Sequence, residues 1–138
     1  MTTRVLVVDD DADVRRLLRV MLEADGYAVA EAPGGAEALD ILRESADRIV
    51  VLLDHLMPGL TGADVLERAA AEGGQLAAHS YILISADDNR AALDLVADLT
   101  SLSVAILTKP INRAPLARLV HRAAATVGAA AGDGGYSQ

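Results

Sequence analysis

The sequence predicts an α/β fold in which five βα units build a doubly wound parallel sheet. Three observations predict it. Short apolar runs alternate with segments of helical period along the 138 residues. Alternation of this kind implies right-handed crossovers and helices on both faces of the sheet. The runs are continuous rather than alternating in polarity, as strands covered on both faces must be. Four of them end in polar residues, and the carboxyl ends of parallel strands are where open α/β sheets bind ligands.

The first run, Arg4–Val8, ends in the acid pair Asp9 and Asp10. Val14, Leu17, Leu18 and Met21 then recur at i, i+3, i+4 and i+7, an amphipathic helix stopped at Gly26. Tyr27–Ala30 is a short, weaker strand, and Ala38, Leu39 and Leu42 mark a second helix. The third run, residues 49–53, ends in Asp54 and is followed by the turn sequence Met57-Pro58-Gly59. A third helix runs from Val65 to the Gly73-Gly74 pair. The fourth run, residues 81–84, ends in Ser85, and a fourth helix follows over Ala92, Leu95, Val96 and Leu99. The fifth run, residues 104–107, leads to Lys109-Pro110. A fifth helix carries Leu116, Leu119, Val120 and Ala123, with Asn112 as its N-cap. One domain over residues 1–127 is expected, followed by a glycine-rich tail, 128–138, expected to be disordered.

Composition narrows the function. The formal net charge of -8 disfavours nucleic acid and anionic membranes as direct partners. Without cysteine there is no disulfide, no thiolate nucleophile and no Cys-based metal site. No apolar stretch approaches the length of a membrane span, and Met1-Thr2-Thr3-Arg4 leads straight into a strand, so a cytoplasmic location is expected. Lys109 is the single lysine among twelve Lys and Arg residues. In a chain that otherwise uses arginine, a compact point charge on a flexible stem at a strand end marks a local requirement.

Asp9, Asp10 and Asp54 would repel one another without a cation, and Mg²⁺ suits a site of a few carboxylates completed by water and phosphate oxygens. Asp54 can then act as a nucleophile that becomes an aspartyl-phosphate. The phosphoryl oxygens would be held by Mg²⁺, by Lys109, and by the Ser85 hydroxyl with a neighbouring N–H. Several neighbouring residues have plainer roles. Asp11 or Asp13 caps the first helix. His55 points away from Asp54, because successive strand side chains diverge. His79 and His121 are expected at the surface, and Arg118 and Arg122 on a solvated helix face.

The motifs Val7-Val8-Asp9-Asp10, Leu53-Asp54-His55-Leu56-Met57-Pro58-Gly59, Ile84-Ser85-Ala86 and Lys109-Pro110, in this order at four strand ends, resemble those of two-component response-regulator receiver domains of the chemotaxis-receiver type. The resemblance covers Arg4 to about Val127. It implies a flavodoxin-like sheet of order 2-1-3-4-5, Asp54 as phosphoacceptor, Lys109 as phosphoryl-binding cation and Ser85 as switch hydroxyl. It implies Mg²⁺ held by Asp9, Asp10, Asp54 and the Leu56 carbonyl, and a cis Lys109-Pro110 bond. The implied function is that of a single-domain response regulator, a phosphoacceptor rather than an enzyme. It takes its phosphoryl group from a sensor histidine kinase or a histidine phosphotransfer protein. The implied output is a protein target that reads the face of the fourth helix, fifth strand and fifth helix.

Two departures stand out. Ile106 occupies the place of the usual aromatic three before the lysine, and Leu102-Ser103 replaces the usual Gly-Ala before strand five. Leu56 and Asp87 occupy positions that tune dephosphorylation in the family. Leu56 also excludes an aspartate-nucleophile phosphatase of the haloacid dehalogenase type, which needs an acid two residues after the nucleophile. The alternative is a phosphorylation-independent pseudo-receiver that acts by binding alone.

Overall fold

The apolar runs pair as strands because Val, Ile and Leu on both faces of a pleated backbone can be buried only between two layers of helix. In the computed structural model, which describes residues 2–86 and 89–135 with side chains as far as Gly128, they form one sheet. Its strands are β1 (Arg4–Val8), β2 (Ala28–Ala32), β3 (Val50–Asp54), β4 (Ser80–Ser85) and β5 (Ser103–Thr108). All pairings are parallel and the order is β2-β1-β3-β4-β5. The helices are α1 (Ala12–Ala24), α2 (Gly35–Glu44), α3 (Gly62–Glu72), α4 (Gly74–Ala78), α5 (Arg90–Asp98) and α6 (Arg113–Gly135). The expected fourth and fifth helices are therefore α5 and α6.

The pleat sorts the strand residues into two cores. Leu6, Val8, Val51, Leu53 and Leu83 face α2, α3 and α5. Val5, Val7, Val50, Leu52, Ile82 and Ile84 face Leu18 and Leu22 of α1 and Leu116, Val120 and Ala123 of α6. Leu17, expected in the buried stripe of α1, is instead 61% exposed. It lies on the flank of α1 that lines an open cleft together with Met21, Lys109 and Ile111. Leu102, at the atypical entry to β5, is buried in the first core.

Two differences from the sequence reading have plain physical causes. β2 starts one residue and ends two residues later than expected, because the signal in its Ala-rich stretch is weak. After α3, Gly73 and Gly74 take φ of 65° and 58°, so the pair is a hinge into the short helix α4 rather than only a stop. The helix α6 is drawn as far as Gly135.

His79, expected at the surface, is 1% exposed. Its Nδ1 accepts from the Ile49 N–H at 3.0 Å, and its Nε2 donates to the Leu42 carbonyl at 2.9 Å. Both bonds are met only by the neutral Nε2–H ring. The ring stands edge-on to Tyr81, whose hydroxyl donates to the Leu76 carbonyl at 2.6 Å. Burial lowers the His79 pKa from its ordinary 6.5, with Arg48 adding to the shift and the Leu42 bond opposing it. Below pH 6.5 the unfolded chain therefore binds a proton that the folded chain refuses. The stability that depends on neutral His79 is full above that pH and is lost as pH falls through the folded pKa. The urea midpoint is expected to drop between pH 7.5 and pH 5.5, and to drop less in His79→Gln. A midpoint drop of equal size in both proteins would refute the assignment to His79.

Candidate functional site

Three strand ends are each held by one hydrogen bond beyond the ladder, and these bonds aim the polar residues. The Asp9 N–H donates to the Ala32 carbonyl at 3.2 Å, the His55 N–H to that of Ile84 at 2.9 Å, and the Lys109 N–H to that of Ser85 at 2.8 Å. The Lys109-Pro110 peptide is cis, as the resemblance implied. Asp11 caps α1, its carboxylate accepting from the Asp13 and Val14 N–H groups at 2.9 and 3.3 Å. That leaves Asp9 and Asp10 free of the capping role.

The structure brings Asp9, Asp10, Asp54 and Lys109 together. One carboxylate oxygen from each aspartate lies within 4.8 Å of the others. Asp9 and Asp54 are buried and Asp10 is exposed. Lys109 Nζ stands 3.0 Å from Asp54 Oδ1. That oxygen is fully buried and accepts no aligned hydrogen bond among the described residues, so the lysine contact is an ion pair of oblique geometry. Burial pushes the Asp9 carboxyl above its usual range, and the charges of Asp54 and Asp10 add to the shift; the Asp11 N–H, which donates to Asp9 Oδ1 at 2.9 Å, and Lys109 oppose it. One half-exposed ammonium cannot balance three carboxylates. The buried Asp54 oxygen, without an aligned hydrogen bond, and the all-oxygen donor set suit a hard divalent cation.

Ser85 is buried at the neighbouring strand end, with its hydroxyl engaged by the next residue. Its hydroxyl donates to the Ala86 carbonyl at 3.0 Å. His55 turns away as expected, its Nδ1 accepting from the Ala63 N–H at 3.3 Å in the first turn of α3. His121, Arg118 and Arg122 are exposed. Ile106 is half-buried on the edge strand β5, opposite Leu83. Asp87 lies outside the described residues.

A cleft of about 450 Å³ opens beside the acids, between α1 and the β5–α6 connection. Leu17, Met21 and Ile111 give it an apolar wall. Sequence reasoning missed this wall, and it also missed Arg15, whose Nη1 donates to the Asp9 carbonyl at 2.7 Å. The arginine-rich spacing of α1 was visible, but a bond from a side chain to a particular backbone carbonyl has no sequence signature.

Residues 5–121 match the family model described as the response regulator receiver domain. The chain belongs to that family. A receiver of this kind is a signalling phosphoacceptor phosphorylated by histidine kinases, and the family binds Mg²⁺ at an acidic cluster such as Asp9, Asp10 and Asp54. A 14.6 kDa protein of Leptolyngbya boryana is 36% identical over 120 residues, covering 86% of this chain and 87% of that protein. The transcriptional regulatory protein ResD of Bacillus subtilis is 49% identical over 63 residues, 46% of this chain and 26% of that regulator. A putative transcriptional regulator of Haloferax volcanii is 49% identical over 69 residues, 50% of this chain and 12% of that protein. The receiver thus spans only a small part of these two regulators. Among solved structures, a response regulator receiver protein from Pseudomonas putida superposes with a TM-score of 0.77 at 30% identity, over 88% of this chain and 98% of that one. The chemotaxis protein CheY4 of Vibrio cholerae gives 0.77 at 23% identity, over 89% and 99%, a likeness of fold. No helix among the described residues is long and apolar enough to cross a membrane.

Proposed function

We propose that this receiver accepts a phosphoryl group on Asp54 from a phosphohistidine of a sensor histidine kinase or histidine phosphotransfer protein, and signals by the conformational change that follows. The observation that carries the reading is the buried Asp54 oxygen, without an aligned hydrogen bond, 3.0 Å from the only lysine of the chain and beside Asp9 and Asp10. An Asp54 oxygen attacks phosphorus, the O–P bond forms, the P–N bond breaks, and the imidazole leaves with the bonding pair. The residues that would hold Mg²⁺ are Asp9, Asp10, Asp54 and the carbonyl of Leu56. Bound there, the ion supplies neutralisation of the phosphoryl charge, the main need of this chemistry.

The remaining work falls to the chain itself. Lys109 exchanges its contact with Asp54 for one with a phosphoryl oxygen. Ser85 gives up the Ala86 carbonyl and turns its hydroxyl to the phosphoryl group. That exchange of one hydrogen bond for a charge-assisted one is the differential contact that shifts the receiver between two states. The shift is passed to the face of α5, β5 and α6, where Ile106 offers an aliphatic side chain in place of an aromatic rotor. The donor approaches over apolar ground: Leu17 lines the cleft, and Leu56, two residues after Asp54, is 62% exposed. On this reading the receiver acts in the cytoplasm through protein partners, without direct contact to nucleic acid, which its charge of -8 disfavours.

Intact mass after incubation with acetyl phosphate and Mg²⁺ tests the reading. One phosphoryl group is expected on the wild type and none when Mg²⁺ is chelated. No gain, under conditions that label a known receiver, would favour a pseudo-receiver that acts by binding alone.

A further inference from the structure

On the phosphoacceptor reading above, we infer that Arg15 is the positioning residue of the acidic pocket, held in place by Glu31, and that it sets the aim of the Asp10 carboxylate through the Asp9 carbonyl. The backbone of Asp9 is pinned on both sides. Its N–H donates to the Ala32 carbonyl at 3.2 Å and its C=O accepts from Arg15 Nη1 at 2.7 Å. That carbonyl belongs to the planar unit that joins Asp9 to Asp10. Fixing the oxygen therefore fixes the Asp10 nitrogen and the direction in which Asp10 leaves the strand. Asp10 needs this help, because its side chain is exposed and its carboxylate accepts no hydrogen bond among the described residues.

Arg15 is itself clamped. Its Nε donates to Glu31 Oε1 at 3.1 Å, and the second Glu31 oxygen takes Arg19 Nη1 at 2.7 Å. Arg19 also donates to the Val29 carbonyl at 2.9 Å, which ties the pair to β2. The side chains of Arg15 and Glu31 are 16% and 27% exposed, so the clamp is partly sheltered from solvent. Arg19 first, then Arg15, hold the Glu31 carboxyl below the usual carboxylate range, so it is ionised at neutral pH. The Arg15 charge therefore faces an opposite charge of its own. What it offers the pocket is geometry: a rigid fork that satisfies Glu31 and the Asp9 carbonyl in two directions at once. Lysine carries the charge but lacks that fork.

The test is a calorimetric Mg²⁺ titration of the full chain as wild type, Arg15→Met, Arg15→Lys and Glu31→Gln, with urea midpoints and the Mg²⁺ half-saturation of acetyl phosphate labelling. Loss of an outer partner of a metal ligand typically weakens metal binding by about 10–100-fold, and the low end is expected for Arg15→Met. The half-saturation concentration should rise in step, while the labelling rate at saturating Mg²⁺ stays near that of the wild type. Arg15→Lys should behave like Arg15→Met, and Glu31→Gln should shift the same way by less. Wild-type Mg²⁺ affinity in folded Arg15→Met would overturn the inference, leaving Arg15 as an α1–β2 tie. Full affinity in Arg15→Lys would overturn it in favour of charge alone. If Arg15→Met does not fold, the other two variants decide. A wild type that takes up neither Mg²⁺ nor phosphate sinks the phosphoacceptor reading, and this inference with it. A wild type that does both, beside variants that match it, sinks the inference alone.

Discussion

Asp54→Asn is expected to lose all phosphoryl uptake while keeping its fold. The amide is nearly the same size as the carboxylate but is too weak a nucleophile to take a phosphoryl group. Asp54 and Asp9 are both buried, and Asp54 raises the pKa of Asp9, so the native acids repel one another. Removing one charge relieves that repulsion. The cost is the ion pair with Lys109, whose partly exposed ammonium keeps contact with water when its partner's charge is removed. The variant should therefore unfold at a urea concentration no lower than the wild type when Mg²⁺ is chelated. Saturating Mg²⁺ should then stabilise the wild type more than the variant, by linkage. Phosphoryl uptake on a different residue in Asp54→Asn would show that the acceptor has been misassigned.

Gly62→Ala is expected to cost the most stability of any single methyl added near the site. A Cβ there would stand 2.6 Å from Leu83 Cδ1, 2.8 Å from the Asp54 carbonyl oxygen and 2.9 Å from His55 Cα. The leucine methyl has some room to move, but the other two neighbours are backbone. Gly62 also donates its N–H to the His55 carbonyl at 3.0 Å, so α3 begins in direct contact with the end of β3. Alanine must push that helix from the strand that carries Asp54. Overpacking of this kind costs about 1–3 kcal/mol, and the upper end is expected because backbone has to shift. Urea unfolding reads the loss, and phosphoryl uptake should slow in the fraction that remains folded. A midpoint within error of the wild type would mean that the close approach relaxes without cost.

Much of this site was legible because strand ends are where a buried apolar run meets water. Asp9, Asp10, Asp54 and Lys109 were found by that rule, and the structure collects all four in one cleft. Ser85 was found by the same rule, but its hydroxyl direction was not, since a rotor chooses among nearby acceptors that only the fold supplies. His79 was misplaced because a histidine between a glycine pair and a strand carries no mark of burial. Its two partners, Leu42 and Ile49, are 37 and 30 residues away in the chain.

The sequence by itself determined the (βα)5 architecture, the strands that face helices on both sides, and the edge at which the chemistry collects. These follow from local rules of period, polarity and turn chemistry, which act over a few residues. Tertiary structure alone decided that Leu17 lines an open cleft, that α4 exists, that His79 is a core tie, and that Arg15 grips the Asp9 carbonyl. Each of those depends on how far one element slides over another, a quantity set by the packing of whole helices on the sheet.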